Sequence, residues 1–377
     1  MRRVLVAGTM LLSTLVGPWA PPAAVAAPSS ASERAELVDF NGDSLDDLAI
    51  GAPGEDLGAR AGAGAVNVQY GSPAGLAGNG QVLTQGTPEA GDGFGAALAK
   101  GRFNDDDFVD LAVGAPAEDL GRTDAAGVVT VFYGSASGLT GPGDILQQTS
   151  PENGDAFGST LDSGDFNADG VDDLAVGAPG EAIGLKFGMG AIAVFLGQSG
   201  GITPGSPRTV TQREAGGAEK TGDQFGSALA AGLYNGDDFY DLAVGAPGEA
   251  IGTVADAGAV STMHGSAGGL SGTVSPLFQG DNGLGDLPER GDRFGQTLAK
   301  GIFSNNFTDD PFDDLAVGVA LDDVGDRPDA GLVSLLQGSP AGLQGAGTVY
   351  FQGADLGGGA GVGGVAEAGD LLGAAVE

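Results

Sequence analysis

An all-β fold, and within it a β-propeller of four-stranded blades, is what this sequence predicts, on three observations. An acidic loop followed at once by a short apolar run recurs five times along the chain. Glycine accounts for 73 of 377 residues, about one in five against an average near 7%, which excludes a helical bundle. Between the Gly, Pro and Asp punctuation no useful helical period survives, whereas short alternating runs do.

The apolar runs set the register: Leu48-Ala49-Ile50-Gly51, Leu111-Ala112-Val113-Gly114, Leu174-Ala175-Val176-Gly177, Leu242-Ala243-Val244-Gly245 and Leu315-Ala316-Val317-Gly318. Their glycines are 63, 63, 68 and 73 residues apart, a repeat of blade size. A second landmark precedes four of them: Asp92-Gly93-Phe94-Gly95, Asp155-Ala156-Phe157-Gly158, Asp223-Gln224-Phe225-Gly226 and Asp292-Arg293-Phe294-Gly295. After the glycine comes a variable turn, then an alternating third run such as Gly127 to Gly134, then a fourth such as Asp144 to Gln148. Each unit therefore carries four short strands.

The two ends complement each other. Ala35 aligns with Leu98, so the first copy lacks its Phe-Gly half, and the segment from Gly369 to Glu377 is a weakened Phe-Gly half with no loop after it. The expectation is five blades, closed by N- and C-terminal strands that share one blade, which removes an exposed sheet edge. Residues 1–27 read as a secretory signal: Arg2-Arg3, an apolar segment from Val4 to Val16, and an Ala24-Val25-Ala26 cleavage site. Residues 28–34 form a short linker and 35–377 the propeller. The expected location is secreted, without a membrane span.

The Phe-Gly landmark, the Gly-Ala-Pro landmark and the acidic loop between them resemble the FG-GAP repeats of integrin alpha-subunit head domains. The resemblance covers residues 35 to 377, and secreted bacterial FG-GAP repeat proteins look similar as well. It implies a β-propeller with calcium in certain loops between first and second strands, and it implies extracellular recognition and adhesion. The integrin head has seven blades where five are counted here, and nothing resembles an integrin's leg domains.

The residues support the calcium reading on their own. In the third copy Asp165, Asn167, Asp169 and Asp173 fall at positions 1, 3, 5 and 9, with the Val171 carbonyl at 7 and Gly170 at the turn. An odd-numbered row of oxygens can curl around one hard cation, Ca2+ above all. The first copy has Asp39, Asn41, Asp43, the Leu45 carbonyl and Asp47, with Ser44 in place of the glycine. Two carboxylates about 4 Å apart repel by roughly 4 kcal/mol at an effective dielectric near 20, so such loops should splay without a cation. In the fourth copy Leu233 leaves only Asn235, Asp237 and Asp241, a weaker site. In the second, Arg102 is expected to replace the cation by bridging Asp106 and Asp110. In the fifth, an insertion around Asn305 to Asp310 breaks the register.

Charge and residue types exclude several functions. With Lys+Arg 15 against Asp+Glu 50, nucleic acid and anionic lipid are repelled. The absence of Cys and the single histidine rule out thiol catalysis, and His264 reads as a structural strand-end residue. Arg290-Gly291-Asp292 spells a tripeptide that integrins recognise, but Gly-Asp recurs in every copy, so it reads as coincidence. The expected function is a monomeric, non-catalytic binding module for an extracellular protein or polysaccharide. Its recognition face carries the turns Leu57 to Gly64, Leu120 to Ala126, Ile183 to Gly190, Ile251 to Gly258 and Asp322 to Gly331. The alternative is an extracellular hydrolase or lyase acting on polymers with calcium-assisted substrate binding, which would gather acids outside the repeat register into one pocket.

Overall fold

Each apolar run becomes the second strand of an antiparallel sheet in the computed structural model. The structure describes residues 37–372 and 374, apart from 77–79, 206, 272–274, 282, 285–286, 304–311, 353–359, 363–370 and 373. The expected signal, the linker and the fifth-copy insertion at Asn305 to Asp310 lie outside the described residues.

The first sheet runs β1 (Leu48–Ala52), β2 (Ala65–Gln69) and β3 (Gln81–Leu83). The second runs β4 (Leu98–Gly101), β5 (Asp110–Ala115), β6 (Val128–Phe132) and β7 (Ile145–Leu146). The third runs β8 (Thr160–Gly164), β9 (Asp173–Ala178), β10 (Ala191–Phe195) and β11 (Arg208–Thr211). In the fourth, β12 (Ala228–Gly232), β13 (Asp241–Ala246) and β14 (Ala259–Met263) are joined by a single antiparallel bridge from Val260 to Leu277 where a fourth strand was expected. The fifth holds β15 (Thr297–Gly301), β16 (Asp314–Val319), β17 (Leu332–Gln337) and β18 (Gln344–Gln352), with β19 (Ala360–Val362) added in parallel. The first strands β4, β8, β12 and β15 lie side by side in that order. The fold is an all-β propeller.

The first sheet has three described strands; the residues that align with β4 start at Ala35, and Ala35 and Glu36 lie outside the described residues. A difference shows in burial: every residue of β5, β9, β13 and β16 is buried, whereas β1 leaves Leu48 and Ile50 more than two-fifths exposed. At the other end Leu372 bridges Gly331 in parallel, as Phe94 bridges Gly64, Phe225 Gly190 and Phe294 Gly258. Leu371 and Leu372 thus dock where the repeat requires, with their N–H groups on Asp329 O and Ala330 O. The strand expected to close onto β1 lies outside the described residues.

Two glycine landmarks explain why the sheets stack. Gly95 has φ +92° and donates its N–H to Gly114 O at 2.9 Å within its own blade. On its other side a Cβ on Gly51 of the preceding blade would stand 2.1 Å from Gly95 O. The same contact recurs from Gly114 to Gly158 O at 2.1 Å, Gly177 to Gly226 O at 2.2 Å and Gly245 to Gly295 O at 2.0 Å. No side chain fits there, so the two landmarks need each other. The adjoining phenylalanines Phe94, Phe157, Phe225 and Phe294 are fully buried, each contributing about 1.5–3 kcal/mol by burial. Phe94 meets Phe132, and Phe157 meets Phe195, edge to face at 6.1 and 6.2 Å.

Carboxyl groups line the same junctions. The Gln85 amide donates to Glu118 Oε2 at 2.9 Å, Gln212 to Glu249 Oε2 at 2.7 Å and Gln279 to Asp322 Oδ2 at 2.5 Å, each across to the next blade; Gln148 reaches Glu181 likewise. Burial first, and the charge of Asp155 second, push the Glu181 carboxyl up to about 7. Burial first, then the neighbouring Asp92 carboxylate, raise Glu118 in the same way, against the Gln85 amide, which lowers it.

Two expectations follow. Gly114→Ala should cost about 1–3 kcal/mol or more through the clash with Gly158 O, and lower the melting temperature, whereas Gly54→Ala, which meets nothing within 4 Å, should leave it within experimental scatter. Equal melting points for both would refute the wedge. A carboxyl held above its unfolded value, about 4.3 for Glu, lends stability that is complete below that value and lost as pH rises through the folded one. In metal-free buffer the melting temperature should therefore fall between about pH 4.5 and 7.5, and Glu118→Gln with Glu181→Gln should flatten that slope; an unchanged slope in the double variant contradicts the assignment.

Candidate metal-binding loops

The loops joining first to second strands, with those leading into β1, hold the acids singled out above. Position 9 has one role in all five copies. Asp47, Asp110, Asp173, Asp241 and Asp314 are buried, and each accepts through Oδ1 the N–H of the glycine that follows the third strand: Gly71, Gly134, Gly197, Gly265 and Gly338, at 2.7–3.1 Å. In four copies Oδ2 accepts the N–H of the aromatic at position 2, from Phe40, Phe103, Phe166 and Phe303. The fifth copy keeps this clamp in spite of its insertion. An aspartate read from the sequence as a ligand is therefore first a clamp between the loop and the end of the third strand.

Position 1 decides the shape of the turn. Asp165 Oδ1 accepts the N–H of Asp169 at 3.1 Å and Oδ2 that of Gly170 at 2.8 Å; Asp39 does the same for Asp43 at 3.1 Å and Ser44 at 2.7 Å. These bonds draw position 6 into the left-handed region, φ +91° at Gly170 and +66° at Ser44. Where position 1 is Arg102 or Leu233, position 6 (Asp107, Asp238) is not among the residues with positive φ. Ser44 holds a conformation costing roughly 1–2 kcal/mol for a non-glycine residue, so the missing glycine is overcome by the Asp39 carboxylate.

The odd-numbered side chains share one side of the turn. Asn167 Oδ1 accepts the Asp169 N–H at 2.8 Å and Asp169 Oδ1 the Val171 N–H at 3.0 Å; Asn41, Asp43 and Leu45 repeat the pattern at 3.0 Å each. Asp173 is pushed up to about 7, first by burial and then by the charges of Asp165 and Asp169, against the Gly197 amide; Asp47 is raised by burial with Asp39 and Asp43 adding to it. Mutual repulsion of three carboxylates beside one carbonyl is the environment a divalent hard cation relieves, and the all-oxygen donor set fits calcium. As the side chains stand they are turned onto the loop's own amides, and among the described residues no three His, Asp or Glu side chains converge closely enough to enclose an ion.

The second loop differs from expectation. Arg102 forms no ion pair with Asp106 or Asp110 among the described residues. Its backbone N–H donates to Asp172 Oδ2 of the next blade at 2.8 Å, and its charge acts on Asp172. The clamp amides of Phe103 and Gly134 already engage Asp110, which removes the demand for a guanidinium. In the fourth loop Asn235 Nδ2 donates to Asp237 Oδ2 at 2.9 Å, and His264 Nδ1 stands 3.1 Å from Asp241 Oδ1. The Asp241 carboxylate raises the His264 pKa by hydrogen bonding, against burial, which lowers it. Nothing in the sequence ties His264 to that loop, because 23 residues separate it from Asp241 and only the β13–β14 hairpin brings them together.

Elsewhere, Asp292 is 2% exposed and accepts the Glu289 N–H, so the Arg-Gly-Asp tripeptide is not displayed. One acid outside the repeat register is Asp162 on β8. Its oxygens accept the amides of Ser163 and Ala231 at 2.8 and 2.7 Å, a link between neighbouring first strands. On the face opposite the loops the turn from Ile183 to Gly190 carries Leu185, 93% exposed, and Phe187, 71% exposed. The Ile183–Lys186 bridge pins its base.

The FG-GAP repeat model matches residues 35–68, 157–195 and 225–263. The chain is 36% identical over 166 residues to integrin alpha-PS5 of Drosophila melanogaster, covering 42% of this chain and 15% of that one. It is 35% identical over 162 residues to phosphatidylinositol-glycan-specific phospholipase D of Mus musculus, covering 42% and 19%. A rhamnogalacturonan lyase of Bacillus licheniformis superposes with a TM-score of 0.37 and 11% identity over 73% of this chain and 55% of that one. The chain spans less than a fifth of the length of the two sequence relatives.

Proposed function

We propose, on the premise that this chain carries FG-GAP repeats, that it is a secreted, calcium-stabilised, non-catalytic module that binds an extracellular protein or polysaccharide through its turns. The observation that carries the reading is the Leu185–Phe187 turn. Two large apolar side chains stand almost wholly in water on a turn whose backbone is fixed, with the Gly190 N–H donating to Glu181 O at 3.1 Å. Exposed anchors on a rigid scaffold are the usual centre of a recognition surface. The corresponding turns carry Ala59, Arg122, Thr253 and Asp326, so each blade offers a different contact from one framework.

Calcium enters this reading as a structural ion. In the first loop Asp39, Asn41, Asp43, the Leu45 carbonyl and Asp47 would hold it, and in the third Asp165, Asn167, Asp169, the Val171 carbonyl and Asp173. The ion would neutralise carboxylates that otherwise repel, and every such loop also touches its neighbour.

Terbium or calcium titration should show sites that Asp39→Ala and Asp165→Ala each reduce. Extracellular calcium modules bind at about 10⁻⁴ to 10⁻³ M, so each site adds about 1 to 3 kcal/mol in calcium-replete medium and EDTA lowers the melting temperature. Titrations unchanged by either substitution would remove both sites. For recognition, the purified chain is screened against extracellular proteins and polysaccharides, and Leu185→Ala with Phe187→Ala should weaken the captured partner about tenfold or more. Full binding by that double variant, or turnover of a polysaccharide by the purified chain, would sink the reading.

A further inference from the structure

Three Asn-Gly steps lie among the described residues: Asn41-Gly42, Asn153-Gly154 and Asn235-Gly236. Such a step can modify itself. The backbone nitrogen that follows an asparagine lies within reach of the side-chain Cγ, and a glycine there has no Cβ to hinder the approach. Each of the three is followed by an aspartate, Asp43, Asp155 and Asp237, so the local sequence gives them a similar intrinsic tendency. The fold separates them, because a nitrogen whose N–H is held in a hydrogen bond must first be released by local opening.

Two of the three nitrogens are held. The Gly42 N–H donates to Asp39 Oδ1 at 2.7 Å, and the Gly154 N–H to Asp124 O at 2.9 Å. Gly236 takes in the fourth loop the place of Gly42 in the first: φ is +73° against +74°, and a phenylalanine of the next blade, Phe312 in place of Phe108, fills the space a Cβ would need. Position 1 of the fourth loop, however, is Leu233, whose side chain has no oxygen. The Gly236 N–H has no hydrogen-bond partner among the described residues, and Gly236 is exposed.

The asparagine itself is set for attack. Asn235 Oδ1 accepts the Asp237 N–H at 2.8 Å, a turn that folds the side-chain carbonyl back over the peptide bearing the Gly236 nitrogen and polarises it. Asn41 makes the same turn with Asp43 at 3.0 Å, so the held N–H is what distinguishes the first loop from the fourth.

We propose that Asn235 is a site of spontaneous modification, at which the Gly236 nitrogen displaces the side-chain amide as ammonia. The Gly236 N–H gives its proton to water, its nitrogen bonds to Asn235 Cγ, and the Cγ–Nδ2 bond breaks as solvent returns a proton to the departing nitrogen. Water then opens the cyclic imide at either carbonyl, leaving aspartate or isoaspartate at position 235. The Nδ2 group that donates to Asp237 Oδ2 at 2.9 Å is thereby replaced by an acid, and the fourth loop gains a negative charge beside Asp237 and Asp241. The proposal does not depend on an ion in any loop.

The test ages the purified full-length chain in calcium-free, mildly alkaline buffer and follows each step by peptide mapping. The readouts are the amide-to-acid mass gain and the isoaspartate that an isoaspartyl methyltransferase labels. Asn235 should convert about tenfold faster or more than Asn41 and Asn153, whereas in urea, where no N–H is held, the three should convert at similar rates. Leu233→Asp, which returns a carboxylate to position 1, should slow Asn235 toward the rate of Asn41. Asp39→Leu should speed Asn41 toward the rate of Asn235. The proposal is overturned if Asn41 or Asn153 keeps pace with Asn235 in the folded chain, or if Asn235 stays intact while the chain in urea converts. It is equally overturned if Leu233→Asp and Asp39→Leu both leave the rates in their own loops unchanged.

Discussion

A backbone-to-backbone contact governs this fold. Gly95, Gly158 and Gly226 are each wedged between two others: the N–H is donated to the carbonyl of the glycine that ends the apolar run of the same blade, and the carbonyl presses on the matching glycine of the blade before, as that of Gly295 presses on Gly245. A Cβ on the apolar-run glycine would stand 2.0–2.2 Å from that carbonyl, so no side chain can enter between the blades there. The contact sets how closely the sheets approach, and that approach buries the phenylalanines beside it and brings glutamines within reach of carboxyl groups on the next blade. Because the wedge involves only main-chain atoms, the residues around it vary without altering the spacing, as Leu372 in the place of a phenylalanine shows.

On the side of the acidic loops a second lacing runs between blades. The carbonyl at position 1 of one loop accepts the N–H at position 8 of the next: Asp39 from Val109, Arg102 from Asp172, Asp165 from Tyr240 and Leu233 from Asp313, at 3.1 Å throughout. Side chains reinforce it where position 8 is an acid, as Asp172 accepts the Arg102 N–H and Asp313 that of Leu233. The loops therefore serve cohesion whether or not they hold an ion, and a cation in the first or third would tighten a link that already exists.

Much of this was legible in the sequence, for identifiable reasons. The strands were readable because the apolar runs are bounded by glycine and aspartate at fixed intervals, and a two-residue period between such marks has one interpretation. The Gly-Asp steps were recognisable as structural because they recur, and the burial of Asp292 agrees. Other features depend on hydrogen bonds that spacing does not encode. Ser44 adopts a glycine's conformation because a carboxylate five residues earlier holds its N–H. Arg102 does not bridge Asp106 and Asp110, because the clamp amides, distant in sequence, had already engaged Asp110. His264 reaches the fourth loop through a hairpin whose register is invisible to a comparison of aligned copies, in which it looks like one more strand-end residue. Among the described residues of the fourth sheet, one bridge at Leu277 stands where the pattern promised a ladder.

Position 9 and position 1 have consequences for how such a chain diversifies. The clamp aspartate is present in every copy, while position 1 passes through Asp39, Arg102, Asp165, Leu233 and Ile302. The clamp to the third strand thus rests on position 9 and the shape of the turn on position 1, and a copy that changes position 1 keeps its clamp. Five near-duplicates under that arrangement can differ at position 1 while each holds the end of its third strand by the same pair of atoms.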